Sequence, residues 1–294
     1  MQKKQKLIEK IISYFFLANG LLVIFVLLSI FYLLLKNSMP AFSEVGLKEF
    51  FASANWNPSS YSEPSYGILA QVVSTLMVTF GAMLIAVPIG VGTAAYIAEV
   101  ASPRVKGILK PVIEILAGIP SVVIGFLGIV LLGPIIADAA NLSNGLNAIN
   151  GSILLAIMSL PTIISLSEDA ISAVPDNYRQ ASLGLGANRW QTLVRSVIPS
   201  GLSGIIASIM LGMGRAIGET MTVLMATGNA PALPGSFFNS VRTMTSTIAI
   251  ELGEVPYNTT HYYALFAVGL ILFLMTFVVN LVSDIILHKY QEVA

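Results

Sequence analysis

The chain has 294 residues, of which 55% are hydrophobic and 10% charged, with a mean hydropathy of +0.83. A soluble domain carries roughly 25% charged residues, so an ordinary soluble protein is excluded and a polytopic membrane protein is indicated. Zero cysteines exclude disulfides, thiolate metal sites and a cysteine nucleophile, and two histidines fit a zinc site poorly. The net charge of zero excludes nothing by itself, and no nucleic-acid partner is expected.

Residues 1–10 carry Lys3, Lys4, Lys6 and Lys10 and read as a cytoplasmic tail. Residues 11–35 hold 25 positions without a charge, against roughly 20 needed to cross the hydrocarbon core. They form the first span; a cleaved signal peptide is the alternative, but its apolar core is about 7–15 residues. Residues 36–66 are polar and aromatic, with Trp56-Asn57-Pro58 and Pro64, and read as an ordered external loop.

A core of five further spans fills 67–287. Residues 67–98 are apolar and interrupted by Pro88 and Gly90; a proline removes an amide donor, and neighbours must satisfy the freed carbonyl. Residues 111–136 form the third span, with Glu114 near its start and a break at Gly118-Ile119-Pro120-Ser121. Residues 151–166 form the fourth, broken at Pro161 and followed by Glu168 and Asp169. The fifth is 200–228 and the sixth 262–287, with an external loop at 229–261 between them and a cytoplasmic tail at 288–294. Glu99 and Glu114 are expected to pair with Arg104, Lys106 or Lys110.

An inside N-terminus puts Lys3, Lys4, Lys6, Lys10, Arg104, Lys106, Lys110, Arg179, Arg189, Arg195 and Lys289 in the cytoplasm. Only Lys36, Lys48 and Arg242 fall outside. This positive-inside bias predicts six helices with both termini cytoplasmic.

The polar turn 176–199 reads as two short helices. Asp176 is placed to cap the first, and Gly184 and Gly186 to close it. Asn188 and Gln191 have the spacing of a capping box for the second. Trp190, Leu193, Val194 and Val197 recur at helical spacing and should share one apolar face, leaving Arg189 and Arg195 for water or a partner. A solvated loop is the bland reading; a capped knob docking in a partner's groove is the functional one.

Gln180-Ala181-Ser182, then Gly186, then Ser196-Val197-Ile198-Pro199 resembles the EAA motif of ABC importer permeases. The spacing of that motif, Glu-Ala-Ala, three residues, Gly, nine residues, Ile-x-Leu-Pro, is kept throughout. Gln180, Ser182, Ser196 and Ile198 depart from it; Gln180 keeps hydrogen-bonding capacity and loses the charge. The resemblance implies that Gln180, Ala181, Ser182, Gly186, Arg189, Trp190 and Pro199 seat in a partner ATPase.

Arg215 follows Pro199 by sixteen residues. At about 1.5 Å per residue it reaches roughly mid-membrane on a straight helix. Burying an arginine there costs from about 3 to above 10 kcal/mol, so it requires a partner, and Glu219 at i+4 is the nearest. Ser200, Gly204, Ser208, Gly212 and Ala216 line the same helix as a stripe of small residues that lets another helix approach. The functional reading is an anion waypoint, because a guanidinium matches a tetrahedral oxyanion and Glu219 can accept a proton from a protonated phosphate. The alternative is a structural pair that locks two helices.

Arg215-Ala216-Ile217-Gly218-Glu219-Thr220, with Ile115 to Val123 upstream, resembles the phosphate importer permeases. Trp56-Asn57-Pro58 followed by Tyr66-Gly67 is more similar to the PstC-type subunit than to its PstA-type partner. The resemblance runs from about Phe50 to Leu287. It implies an all-α ABC type I importer permease in a prokaryotic inner membrane, with Arg215, Glu219 and Thr220 on the substrate pathway. It also implies a PstA-type second subunit, two ABC ATPase subunits and an external phosphate-binding protein. No GxxxxGK[ST] phosphate loop occurs in the chain. The subunit is therefore expected to be no enzyme and to bind no cofactor directly, the partners hydrolysing ATP. Sulfate or molybdate transport by the same machine, and an ion-driven secondary transporter, are the rival readings.

Overall fold

The computed structural model describes residues 2–60 and 63–291. Met1, Tyr61, Ser62 and residues 292–294 lie outside the described residues, as do the side chains of Lys3, Lys4, Lys6, His288 and Lys289. Among the described residues, five helical segments are long and apolar enough to cross a membrane, and a sixth path is a bent pair. The protein is all-α among the described residues apart from one two-stranded hairpin.

Helix α1 (Gln2–Val45) is continuous through the expected tail, the first span and ten residues of the expected external loop. It continues through Pro40, and polar side chains bond back along it on either side of the proline. Asn37 donates to Leu33 O, Ser38 to Leu35 O and Ser43 to Pro40 O. Ala41 and Phe42 bury against the bundle, so packing decides where sequence polarity suggested a loop. Gly46, at φ 83, turns the chain into α2 (Leu47–Ala52). Strands β1 (Trp56–Asn57) and β2 (Ser65–Tyr66) pair antiparallel, Trp56 opposite Tyr66.

Helix α3 (Leu69–Glu99) runs through Pro88. The chain then forms α4 (Pro103–Ala117), started by Pro103 after the Ser102 cap. This corrects the third span. Pro120 is extended, at φ −60 and ψ 137, and starts a new helix. The membrane-length unit is therefore 121–140, and Glu114 lies on the separate α4. That unit comprises α5 (Ser121–Leu127), a π-turn at Gly128–Leu132 and α6 (Gly133–Ala140).

Helix α7 (Ala148–Ser172) is longer than expected and unbroken at Pro161, which is buried within it. It packs along α3 through small residues. A Cβ at Gly90 would sit 2.7 Å from Ile163 Cγ2, and one at Gly81 2.5 Å from Ser152 Oγ. Val78, Ala82, Ala86, Leu155 and Ala156 fill the rest of this seam.

After the turn at 176–199 comes α11 (Leu202–Gly218), bent by 71° from the helical segment 189–200. The turn itself holds α8 (Asp176–Gly184), α9 (Arg189–Thr192), a π-turn at Leu193–Val197 and α10 (Ile198–Ser200). The fifth span is thus not one helix from 200 to 228: α11 stops at Gly218, and α12 (Met221–Ala226) begins after two residues. The expected external loop 229–261 contains a further helix, α13 (Met244–Glu251), whose first four residues are buried. Helix α14 (Thr260–Gln291) closes the bundle and packs on α1, with Phe31 and Phe273 ring centroids 5.8 Å apart.

The α7–α11 seam is as tight as α3–α7, since a Cβ at Gly204 would meet Ala170 Cβ at 2.4 Å. Gly107, on α4, has open space where its Cβ would be. Gly204→Ala is expected to destabilise by about 1–3 kcal/mol through overpacking. Gly107→Ala should gain about 0.5–1 kcal/mol of helix stability. Thermal unfolding in one detergent checks the pair: the first variant melts below the unaltered protein and the second does not.

Candidate functional site

Two regions carry the residues singled out from the sequence, at the two ends of the arm formed by α8 to α11. The first is the turn 176–199. Asp176 does not cap α8; the cap position is Pro175, which has no side-chain donor or acceptor to offer, and Asp176 instead accepts from Arg179 at 3.3 Å. Gly186 adopts φ +86, the left-handed conformation that favours glycine. The capping box of α9 is formed: Asn188 Oδ1 accepts from Gln191 N at 2.8 Å, and Gln191 Oε1 from Asn188 N at 3.0 Å. Ser182 and Thr192 hydroxyls, 3.0 Å apart, join the two helices.

The expected apolar face splits. Leu193 and Val197 are buried against Ala94, Ile97, Ile171 and Ile205, whereas Val194 is exposed and Trp190 is 70% exposed. The cause is the π-turn at Leu193–Val197, whose i→i+5 bonding changes the angular spacing that an α-helix would give. Gln180, Ala181, Arg189, Arg195 and Pro199 are exposed and Ser182 is half-buried. With Leu185 91% exposed and Leu183 and Tyr178 open as well, the turn presents an apolar knob flanked by arginines and stiffened by hydrogen bonds.

The second region is the helix break at Gly218. Arg215 is exposed on the last turn of α11. Glu219 is extended, at φ −68 and ψ 132, so the i+4 relation between the two fails. No ion pair joins them among the described residues. The Glu219 carboxylate instead turns toward the start of α12, where it accepts from Thr222 N at 3.4 Å. Thr222 Oγ1 also donates to Ser121 O, at 3.1 Å, on α5. Thr245 Oγ1 of α13 donates to Glu219 O at 2.9 Å, and Thr220 Oγ1 to Gly218 O at 3.3 Å. The 71° bend also resets the depth of Arg215, which is counted along α11 from Leu202 and not from Pro199.

The ion pairs differ from those read in the sequence. Glu168 is a buried carboxylate on α7, 2% exposed, and takes Lys106 Nζ at 2.6 Å and Lys110 Nζ at 2.5 Å. Hydrogen bonding to Glu168 raises the Lys110 ammonium above its ordinary value. That raised value makes the contribution of Lys110 to stability present at neutral pH; it fades only as pH climbs above about 10.4, the unfolded lysine value. Glu99 pairs with Arg179, not with a residue of α4.

Sequence reasoning missed a cluster at the opposite end of α3. Glu251 accepts from Trp56 Nε1 at 2.9 Å and from Arg242 at 2.8 Å, and lies 2.8 Å from His261 Nε2. These four residues join the hairpin, the 229–243 segment, α13 and α14. The cluster opens onto a cavity of about 450 Å³ that Asn57, Pro58, Pro231 and Glu254 also line. The only prior signal was that the indole and the charges fell in the two expected external loops.

Residues 86–291 match the family described as "Binding-protein-dependent transport system inner membrane component". The "Probable ABC transporter permease protein YqgH" of Bacillus subtilis is 40% identical over 229 residues, 78% of this chain and 74% of that protein. The "Phosphate transport system permease protein PstC" of Mesorhizobium japonicum is 32% identical over 291 residues, 92% of this chain and 88% of its own length. The protein of the same name from Pasteurella multocida is 32% identical over 278 residues, covering 88% of this chain and 85% of its own. Among solved structures, two crystal forms of the inward-facing MetNI methionine ABC transporter cover 76% of this chain, at TM-scores of 0.57 and 0.58. They cover 94% and 95% of their own chains, and at 17% and 18% identity they show a shared fold.

Glu168 generates an asymmetric expectation. Replacing both Lys106 and Lys110 by Met leaves the buried carboxylate without a counter-charge, with the Ser172 hydroxyl still donating to it at 3.1 Å, a loss of about 3–5 kcal/mol. Glu168→Gln frees two lysines that are 35% and 43% exposed and can extend to water, so it should cost less. Thermal unfolding of the two variants in detergent measures the order; equal losses would contradict the assignment of Glu168 as the buried partner.

Proposed function

From the membership of this chain in the binding-protein-dependent inner-membrane transport family, of which it is an ABC importer permease subunit, we propose that it carries inorganic phosphate. The observation that carries the mechanism is the bent segment α8 to α11. It holds an exposed, capped turn at one end and a helix break bearing Arg215, Glu219 and Thr220 at the other. A rigid turn suits docking in a partner groove. An irregular backbone inside an apolar segment is tolerated where it is enclosed by protein or lines a path.

In this reading Gln180, Ala181, Ser182, Gly186, Arg189, Trp190 and Pro199 seat in one of two partner ATPases on the cytoplasmic side. Opening and closing of the ATPase dimer rocks the arm, and the subunit alternates between outward- and inward-facing states. ATP is bound and hydrolysed by the partners, and this chain holds no cofactor. A PstA-type subunit completes the membrane core, an external binding protein delivers phosphate near Trp56 and the 229–261 segment, and both termini are cytoplasmic.

Arg215 supplies a planar fork of donors to an oxyanion. Glu219, turned away from Arg215, leaves that guanidinium without a bonded partner among the described residues, and its carboxylate accepts a hydrogen bond from a protonated phosphate. Sulfate has no such proton at neutral pH, which favours phosphate. The support for phosphate over other oxyanions lies in the names of the relatives that cover most of the chain.

Uptake of labelled phosphate in cells lacking other importers tests the reading, with sulfate and molybdate as competitors. Arg215→Ala removes charge-assisted contacts worth about 1.5–3 kcal/mol. It should lower uptake roughly ten- to hundredfold, while the chain still co-purifies with a second membrane subunit and an ATPase. Glu219→Gln should also lower uptake without loss of assembly. Uptake blocked equally by sulfate or molybdate would reassign the cargo, and loss of assembly in both variants would make them structural residues.

A further inference from the structure

Helix α8 carries Gln180, Ala181 and Ser182 but buries none of its own side chains. Apolar packing holds the other half of the turn, through Leu193 and Val197. Something else must fix α8 to the bundle if force is to pass through it. Arg179, immediately before the exposed Gln180, points inward and is 18% exposed.

All the nitrogens of its guanidinium are engaged. Nε donates to Glu99 Oε1 at 2.9 Å, and Nη2 reaches the same oxygen. Nη2 also donates to Ile171 O at 3.0 Å, and Nη1 to Val174 O and to Asp176. The acceptors belong to three elements: the end of α3, the end of α7 with the residues after it, and the first turn of α8. The Glu99 hydrogen bond holds the guanidinium above its ordinary value.

Capping of α7 alone would need only the two carbonyls. Glu99 belongs to a helix eighty residues earlier and adds nothing to a cap. Its addition ties the turn to both helices of the central seam, which already pack as one unit through Gly81, Gly90 and Ile163.

We propose that Arg179 is the positioning residue that locks the coupling turn to the ends of α3 and α7, so that turn and central helices move as one body. This rests on the reading of 176–199 as the seat of a partner ATPase. A lysine cannot replace it, because an ammonium lacks the planar fork that meets a carboxylate and two carbonyls together.

The test uses the whole importer in vesicles and compares the unaltered chain, Glu99→Gln, Arg179→Lys and the double variant. Phosphate moved per ATP hydrolysed is the main readout, beside the amount of ATPase recovered per chain. Glu99→Gln should recover the normal amount of ATPase yet lower phosphate per ATP by about threefold or more. The double variant should be no worse than the worse single one, the non-additivity expected of residues acting through one contact. Hydrogen exchange in 177–184 should quicken in Glu99→Gln while 189–192 does not. Unchanged transport per ATP with normal ATPase recovery, or losses that multiply in the double variant, overturns the role of Arg179 alone. An unaltered chain that recovers no ATPase overturns the reading of 176–199, and this inference with it.

Discussion

The close approach of α3 and α7 is the constraint on which the other elements depend. Glycines at 81 and 90 let the two helices approach closely, with Ser152 against the first and Ile163 filling the space beside the second. Van der Waals packing of small residues is the main source of helix association where lipid is as apolar as the side chains. The seam then fixes both of its ends. At one end it presents Glu99 and the carbonyls of Ile171 and Val174 to Arg179. Near the other, Thr75 Oγ1 accepts from Met244 N and sets the start of α13. Ile163 also lies against Gly212 of α11, so the arm that carries Arg215 rests on the same surface.

Charge placement follows from the low number of charges and the cost of hiding them. An exposed ion pair contributes little, while a shielded one is costly to break. The pairs that join separate elements have a shielded carboxylate: Glu168 with two lysines, Glu99 with Arg179, and Glu251 with Arg242. Each joins elements that are distant in sequence or otherwise loosely held. Helix α4 has no buried residue, and its lysines fasten it to α7 together with partly buried Leu109 and Ile113. The ion pairs therefore hold what the apolar seam does not reach.

Much of this was legible where the signal is local. Apolar runs marked the bundle, and Asn188 with Gln191 marked a helix start. Gly186 marked a left-handed turn, because each of these depends on neighbours within a few residues. Partners were not legible. Glu99 finds Arg179 and Glu168 finds Lys106 and Lys110 only after α3, α4 and α7 are assembled, and spacing along the chain carries no such information. The π-turn that exposes Trp190 left no composition signal, since Leu-Val-Arg-Ser-Val is equally compatible with an ordinary helix. The stop of α11 at Gly218 was hidden for a similar reason: Gly-Glu-Thr without proline does not announce a break, and tertiary bonds to the freed backbone decide it.

Those bonds connect the break to the rest of the molecule. Interrupting a helix inside an apolar segment frees carbonyls and amides that lipid cannot satisfy. Here Thr245 donates to Glu219 O, and Glu219 itself accepts from the first turn of α12. Thr245 belongs to α13, whose last residue is Glu251, held by Trp56, Arg242 and His261. Six residue steps of helix from Thr245 to Glu251, about 9 Å, thus separate the anchored cluster at that end from the backbone of the break. On the other side α11 runs from the break to the bend at Gly201 and into the turn that Arg179 holds. The break is therefore suspended between two anchored segments. A displacement of either anchor would reach the surroundings of Glu219 through hydrogen-bonded helix, without unfolding a span.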